Sequence, residues 1–199
     1  MPSPVYNDPR GGFDQLAKRF QEGRDFEIVA RRSVSGTLIM AIHGGRIEPG
    51  TETIARLVAA EDHGLYIFKG SLPEGNAALH LASTHFDEPR ALDLVSAALN
   101  VLSIHDCRGG AEFVVAGGRD REGRRRLVAA LEAAGVTTRT DSHQQIQGRH
   151  PDNICNRCPG EMGIQLEISA ALRRRLVDPD GPPGVGLQDF CHLIRKAIQ

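Results

Sequence analysis

Ala41-Ile42-His43-Gly44-Gly45-Arg46-Ile47-Glu48-Pro49-Gly50 follows directly on the apolar run Leu38-Ile39-Met40. The run reads as a buried strand that ends in a histidine. Two glycines then let the backbone double back to a carboxylate five residues on. Imidazole nitrogen and carboxylate oxygen are ligand types of catalytic zinc sites. Alone, His-x4-Glu is a weak signal, but two further apolar runs strengthen it. Asn100-Val101-Leu102-Ser103-Ile104 ends in His105, and Gly163-Ile164-Gln165-Leu166 runs into Glu167. Three strands that each finish in a ligand-type residue or a carboxylate describe one site along a sheet edge.

Working outward, Phe13, Leu16, Ala17 and Phe20 have helical spacing, as do Ile54, Leu57 and Val58 behind a capping Thr51. Further helices are expected from Ala91 to Leu99 with Pro89 at the start, and from Asp120 to Ala134 before Gly135. Two more run from Ala170 to about Val177 and from Leu187 to Ile198, the last with Phe190, Leu193 and Ile194 inward. Strands are expected at Phe26–Val29, Leu65–Phe68, Leu79–Ser83 and Phe113–Ala116. This alternation predicts an α/β fold, a three-layer αβα domain with a mixed, mainly parallel sheet. Ligands of such open sheets bind beyond the carboxyl ends of the strands, where His43, His105 and Glu167 stand. The aperiodic stretch from Asp141 to Gly163 reads as an active-site wall.

The 199 residues suit one domain, 1–199, with a loose Pro-rich start over 1–12 and a Pro/Gly-rich connector from Asp178 to Gly186. A net charge of -1 gives no global reason to expect nucleic acid binding. Arg124-Arg125-Arg126 and Arg173-Arg174-Arg175 read as solvated helix faces. No apolar stretch is long enough for a membrane span, and Met1-Pro2-Ser3-Pro4 is not a signal peptide, so a cytoplasmic monomer is expected. Cys155 and Cys158 form a Cys-x-x-Cys without the second pair of a zinc ribbon. Pro159-Gly160 follow where a thioredoxin-like motif would open a helix. Reduced thiols are expected, and a disulfide across the pair stays open.

Ile42-His43-Gly44-Gly45-Arg46-Ile47-Glu48-Pro49-Gly50-Thr51 closely resembles the signature of the poly-γ-glutamate hydrolase family, phage-type zinc peptidases. Further matches are Leu79-His80, Ser83-Thr84-His85-Phe86-Asp87-Glu88-Pro89, Val101–His105 and Gly117-Gly118-Arg119-Asp120. Asn153-Ile154-Cys155-Asn156-Arg157 and Ile164-Gln165-Leu166-Glu167-Ile168-Ser169 complete the set, in order, from about Phe13 to about Val177. The segment 178–199 lies outside it. The resemblance implies a zinc-carboxypeptidase-like fold and one zinc ion held by His43, Glu48 and His105, with Glu167 as general base. Four residues separate His43 from Glu48, where classical zinc carboxypeptidases have two, so the ligand assignment rests on the closer family. The implied substrate is γ-linked polyglutamate, which the protein would meet on release by host lysis if the gene is a phage's. Another peptide or acyl-amino acid, or a non-catalytic phage replication role, are the alternatives.

On the residues alone, His43 and His105 read equally as polar core or capping residues. Two imidazoles disfavour calcium or magnesium, which prefer oxygen, and favour a transition metal such as zinc, with manganese or cobalt as substitutes. Three protein ligands and one open position would activate a water. Glu167 is either an exposed carboxylate on an edge strand or a base whose strand face also carries Gln165 and Ser169. Arg46 and Arg157 are the anion handles, because guanidinium binds carboxylates in a bidentate way. For Arg46 a structural ion pair is the competing reading. Asn156 loosely resembles the Asn of the carboxypeptidase Asn-Arg pair. His85, with Asp87, is a ligand-supporting or substrate-contacting residue, whereas His80 reads as a core histidine within a strand and Asp106 as a loop acid.

Overall fold

The computed structural model describes residues 12–139, 146–178 and 184–198. The loose N-terminal stretch expected over 1–12 lies outside them except for residue 12, as do the first residues of the expected active-site wall and much of the connector. A seven-stranded mixed sheet forms the centre, in the order β1-β3-β2-β4-β7-β5-β6. The strands are β1 (Phe26–Arg31), β2 (Thr37–Gly45), β3 (Gly64–Gly70), β4 (Asn100–Cys107), β5 (Val114–Gly118), β6 (Thr138–Arg139) and β7 (Ile164–Ser169). Strands β3, β2, β4 and β7 are mutually parallel, while β1 and β5 run antiparallel to β3 and β7. The helices are α1 (Phe13–Ala17), α2 (Thr51–Ala59), α3 (Pro89–Ala97), α4 (Arg121–Ala133), α5 (Ala170–Val177) and α6 (Leu187–Ala197).

Period-two alternation sorts the strand residues into two cores. Ile39, Ala41, Leu102, Ile104, Leu166 and Ile168 pack under α2, α4, α5 and α6. Leu38, Met40, Ile42, Tyr66, Phe68 and Val101 pack under α1 and α3 on the other face. This gives the three expected layers. Helix α6 uses Phe190, Ile194 and Ala197 to close the first core against Ile54 and Leu127.

Several local expectations are corrected. Leu79–Ser83 is not a strand: Asn76–Leu79 is a 3-10 turn followed by irregular chain. Leu79 and Leu81 are both buried, which imitates strand alternation, but the segment pairs with no strand of the sheet. Thr51 is not the cap of α2. Gly50 holds that position in left-handed conformation, and Thr51 Oγ1 donates to the Glu48 carbonyl at 2.8 Å. Strand β6, two residues long, carries too little pattern to be anticipated. Arg173 does not belong to a solvated face, since it is only 5% exposed. Asp106 belongs to β4 rather than to a loop.

Candidate metal centre

The carboxyl ends of three adjacent central strands, β2, β4 and β7, converge on one point. Position along β2 alone would not bring His43 there. Ala41 packs under α2, so strict alternation would send His43 to the same side. A bulge intervenes: Ala41 pairs with Ile67 and Gly44 with Lys69, so three steps on β2 oppose two on β3. The extra residue re-aims His43 to the opposite face. There its ring stacks on His80 at 3.8 Å and meets His105 edge-on at 5.1 Å. Gly44 is required at this bulge, because a Cβ there would lie 2.8 Å from Ile67 Cγ2. The turn then closes with Glu48 N donating to the His43 carbonyl at 2.8 Å.

Ligand atoms of His43, Glu48 and His105 all lie within 4.8 Å of one another, and all three residues are buried. His43 Nε2 is 2.7 Å from the Leu81 carbonyl, which can only accept, so Nε2 carries the ring proton. The Nδ1 lone pair then aims at Glu48 Oε1, 2.8 Å away. Burial keeps the ring neutral by lowering its pKa to about 4. Burial also pushes the Glu48 carboxyl well above the usual range. Nδ1 and Oε1 thus face one another as two donors to one metal ion would. Nitrogen and oxygen donors that converge in this way fit zinc.

Neighbouring residues orient this set. Ser103 Oγ lies 2.7 Å from His105 Nε2, which leaves Nδ1 on the Glu48 side, 3.8 Å from Oε2. The backbone N of Asp106 donates to Glu48 Oε2 at 3.0 Å. Buried Arg173 donates to the carbonyls of Pro49 and Ile168, and its Nη2 lies 2.6 Å from Asp106 Oδ1. That last contact is an ion pair without hydrogen-bond alignment. One guanidinium thus ties together the turn after Glu48, β4 and β7.

Glu167 is the register partner of His105 on β7 and is buried, neither on an edge strand nor exposed. Burial first, and the charge of Glu48 second, raise its pKa well above the carboxylate range. Gln165 Nε2 donates to Glu167 Oε1 at 2.7 Å, and Asn153 Nδ2 donates to Gln165 Oε1 at 2.8 Å. The carboxylate is therefore held from the 3-10 turn Ile154–Asn156.

Sequence reasoning underrated several of these residues. His80 is at the centre: its Nε2 is 3.8 Å from Glu48 Oε1, and burial followed by the neighbouring His43 lowers its pKa to about 3. Ser103 had a legible signal, since two residues before His105 on a strand is the same face. Arg173 had none in the local pattern.

Of the expected substrate contacts, Arg46 is exposed and its Nη1 donates to the carbonyls of Leu72 and Pro73, with no ion pair among the described residues. Asn156 lies inside its loop. Its Nδ2 donates to the Gly148 and His150 carbonyls, and its Oδ1 accepts from Arg119 N and Gly163 N. Arg157 is exposed, and its guanidinium has no partner among the described residues. His85 is exposed in a turn, with Nδ1 3.5 Å from Thr84 Oγ1. All four cysteines are free and buried. No helix among the described residues is long and apolar enough to cross a membrane.

Comparison with known proteins identifies related sequences and folds. The sequence profile described as poly-gamma-glutamate hydrolase matches residues 11–181. The UPF0714 protein YndL of Bacillus subtilis (strain 168) is 35% identical over 87% of this chain and 69% of its own length. The chain spans 61% of the SPbeta prophage-derived relative YoqZ, from the same organism, at 35% identity over 85% of this chain. The structure of a bacteriophage poly-gamma-glutamate hydrolase superposes with a TM-score of 0.86 at 30% identity, covering 94% of each chain. Zinc-free YndL superposes with a TM-score of 0.84 at 32% identity, covering 94% of this chain and 95% of YndL.

Proposed function

This chain belongs to the poly-gamma-glutamate hydrolase family, and from that premise we propose that it cleaves γ-glutamyl amide bonds in poly-γ-glutamate or a related glutamate-containing substrate. His43, Glu48 and His105 would hold one zinc ion. A zinc ion with an open position lowers the pKa of a water towards neutrality and polarises an amide carbonyl. Glu167 takes the proton of the attacking water and passes it to the leaving nitrogen. Its raised pKa suits the second half of that exchange, in which the carboxyl must hold a proton. Gln165 and Asn153 keep its oxygen aimed. Arg157 presents an unengaged guanidinium to a substrate carboxylate, while Asn156 holds the loop that carries it. Arg46 and His85 complete the proposed contacts at the rim.

The observation that carries the reading is the register pair His105–Glu167, which sets a buried carboxylate beside the three converging donors. The test has two measurements. Metal analysis of the purified chain should give one zinc per molecule. The zinc-loaded protein should then cleave γ-linked oligoglutamate faster than the α-linked isomer, and Glu167→Gln should abolish turnover while retaining zinc. Equal rates on both linkages would reject γ-selectivity, and near-normal turnover by Glu167→Gln would reject the base.

A further inference from the structure

The register of the sheet extends the face of the site beyond Glu167. His105 pairs with Glu167, Glu167 with Val115, and Val115 with Arg139. Residues paired laterally project to the same side of a sheet. Arg139 therefore rises from the face that carries His105 and Glu167, two strand spacings, or about 10 Å, beyond Glu167. Its partner in the pattern, Thr138, projects to the other side and bonds Glu132 of α4.

Arg139 is exposed, but its guanidinium is held. Its guanidinium carbon sits 3.7 Å from the centroid of the Phe113 ring. Phe113 is itself fixed. Its N donates to Ser169 Oγ at 3.0 Å, and its carbonyl accepts from Ser169 N at 3.0 Å. Gly109 crosses the ring where a Cβ would lie 2.6 Å from Cε1. Phe113 packs with Cys107 and Val115 in a small cluster of its own. Among the described residues, no hydrogen bond or ion pair occupies the Arg139 N–H groups.

A flat guanidinium held on an aromatic platform, with its donor edges open, binds a carboxylate through two parallel hydrogen bonds. It stands two strands from Glu167, on the same face of the sheet. We propose that Arg139, stacked on Phe113, is a carboxylate subsite that receives the α-carboxylate of a γ-linked glutamate residue on the Glu167 side of the scissile amide. The proposal rests on the reading of the chain as a γ-glutamyl hydrolase and adds a specificity-determining residue to it.

The test is a cycle between one side chain and one substrate group. Binding of a γ-linked tetraglutamate is measured calorimetrically on zinc-loaded Glu167→Gln protein, with and without Arg139→Ala. It is repeated with peptides in which one α-carboxylate at a time is an amide. Arg139→Ala should weaken the parent peptide about tenfold or more, the range of a hydrogen-bonded charge pair. For one amidated position the same change should cost less than twofold. Arg139→Lys should restore only part of the loss, because lysine cannot reproduce the planar fork. Zinc content should equal that of the parent protein throughout. A uniform loss across all peptides, or no loss at all, would overturn the subsite while leaving the hydrolase reading intact. Failure of the zinc-loaded wild type to cleave the tetraglutamate would reject the hydrolase reading, and the subsite with it.

Discussion

Ser103→Ala removes one oxygen from a fully buried position and with it the contact to His105 Nε2 at 2.7 Å. Two consequences follow from the geometry. In the metal-free protein a buried ring nitrogen loses its partner, which costs about 1–3 kcal/mol. For a chain of this size that lowers Tm by roughly 2–12 °C. In the metal-loaded protein the hydroxyl no longer selects the tautomer that leaves His105 Nδ1 facing Glu48. Loss of such an orienting partner weakens metal binding by roughly 10–100-fold, or about 1.4–2.8 kcal/mol. The assay is competition for zinc against a chromophoric chelator at constant pH, with calorimetric unfolding of the metal-free forms. Ser96→Ala is the control, since its hydroxyl bonds an exposed helix carbonyl, that of Asp93. A zinc Kd for Ser103→Ala within twofold of wild type would refute the orienting role.

Gly44→Ala should destabilise the fold by about 1–3 kcal/mol in a denaturant titration, because the new methyl group meets Ile67 Cγ2 at 2.8 Å and the Phe68 carbonyl at 3.3 Å. A change below 0.5 kcal/mol, to take about half the lower bound, would mean the bulge yields easily. Arg173→Met leaves Asp106 without its ion-pair partner and three elements untied, so about 3–5 kcal/mol should be lost on thermal unfolding. A Tm within 2 °C of wild type, about 1 kcal/mol or less, would contradict it. Metal uptake should compete with proton binding at Glu48, whose carboxyl burial pushes well above the usual range. The raised pKa sets the sign: affinity for zinc should fall as pH is lowered from 7 towards 5. Titration in two buffers of different ionisation enthalpy would show it, and zero proton release at pH 6 would exclude it.

Hydrophobic periodicity made the alternating strands and helices legible, because alternation on strands and 3.6-residue spacing on helices are local consequences of backbone geometry. The strand-terminal positions of His43, His105 and Glu167 were legible for the same reason, and the motif resemblance supplied Glu48 as their companion. Periodicity misread Leu79–Ser83, where alternating burial arises from packing without a partner strand. It also placed Arg173 in solvent, because the groups that hold its guanidinium, Pro49, Asp106 and Ile168, are distant in sequence. The bulge that turns His43 onto the face of His105 exists only in the pairing of β2 with β3. His80 joins the cluster only because the chain after the 3-10 turn crosses the mouth of the sheet, where the Leu81 carbonyl also sets the tautomer of His43. Sequence by itself determined which residues could do this chemistry and which strands carried them. Tertiary structure decided where they point, because the facing of a side chain depends on register, bulges and burial by partners far along the chain.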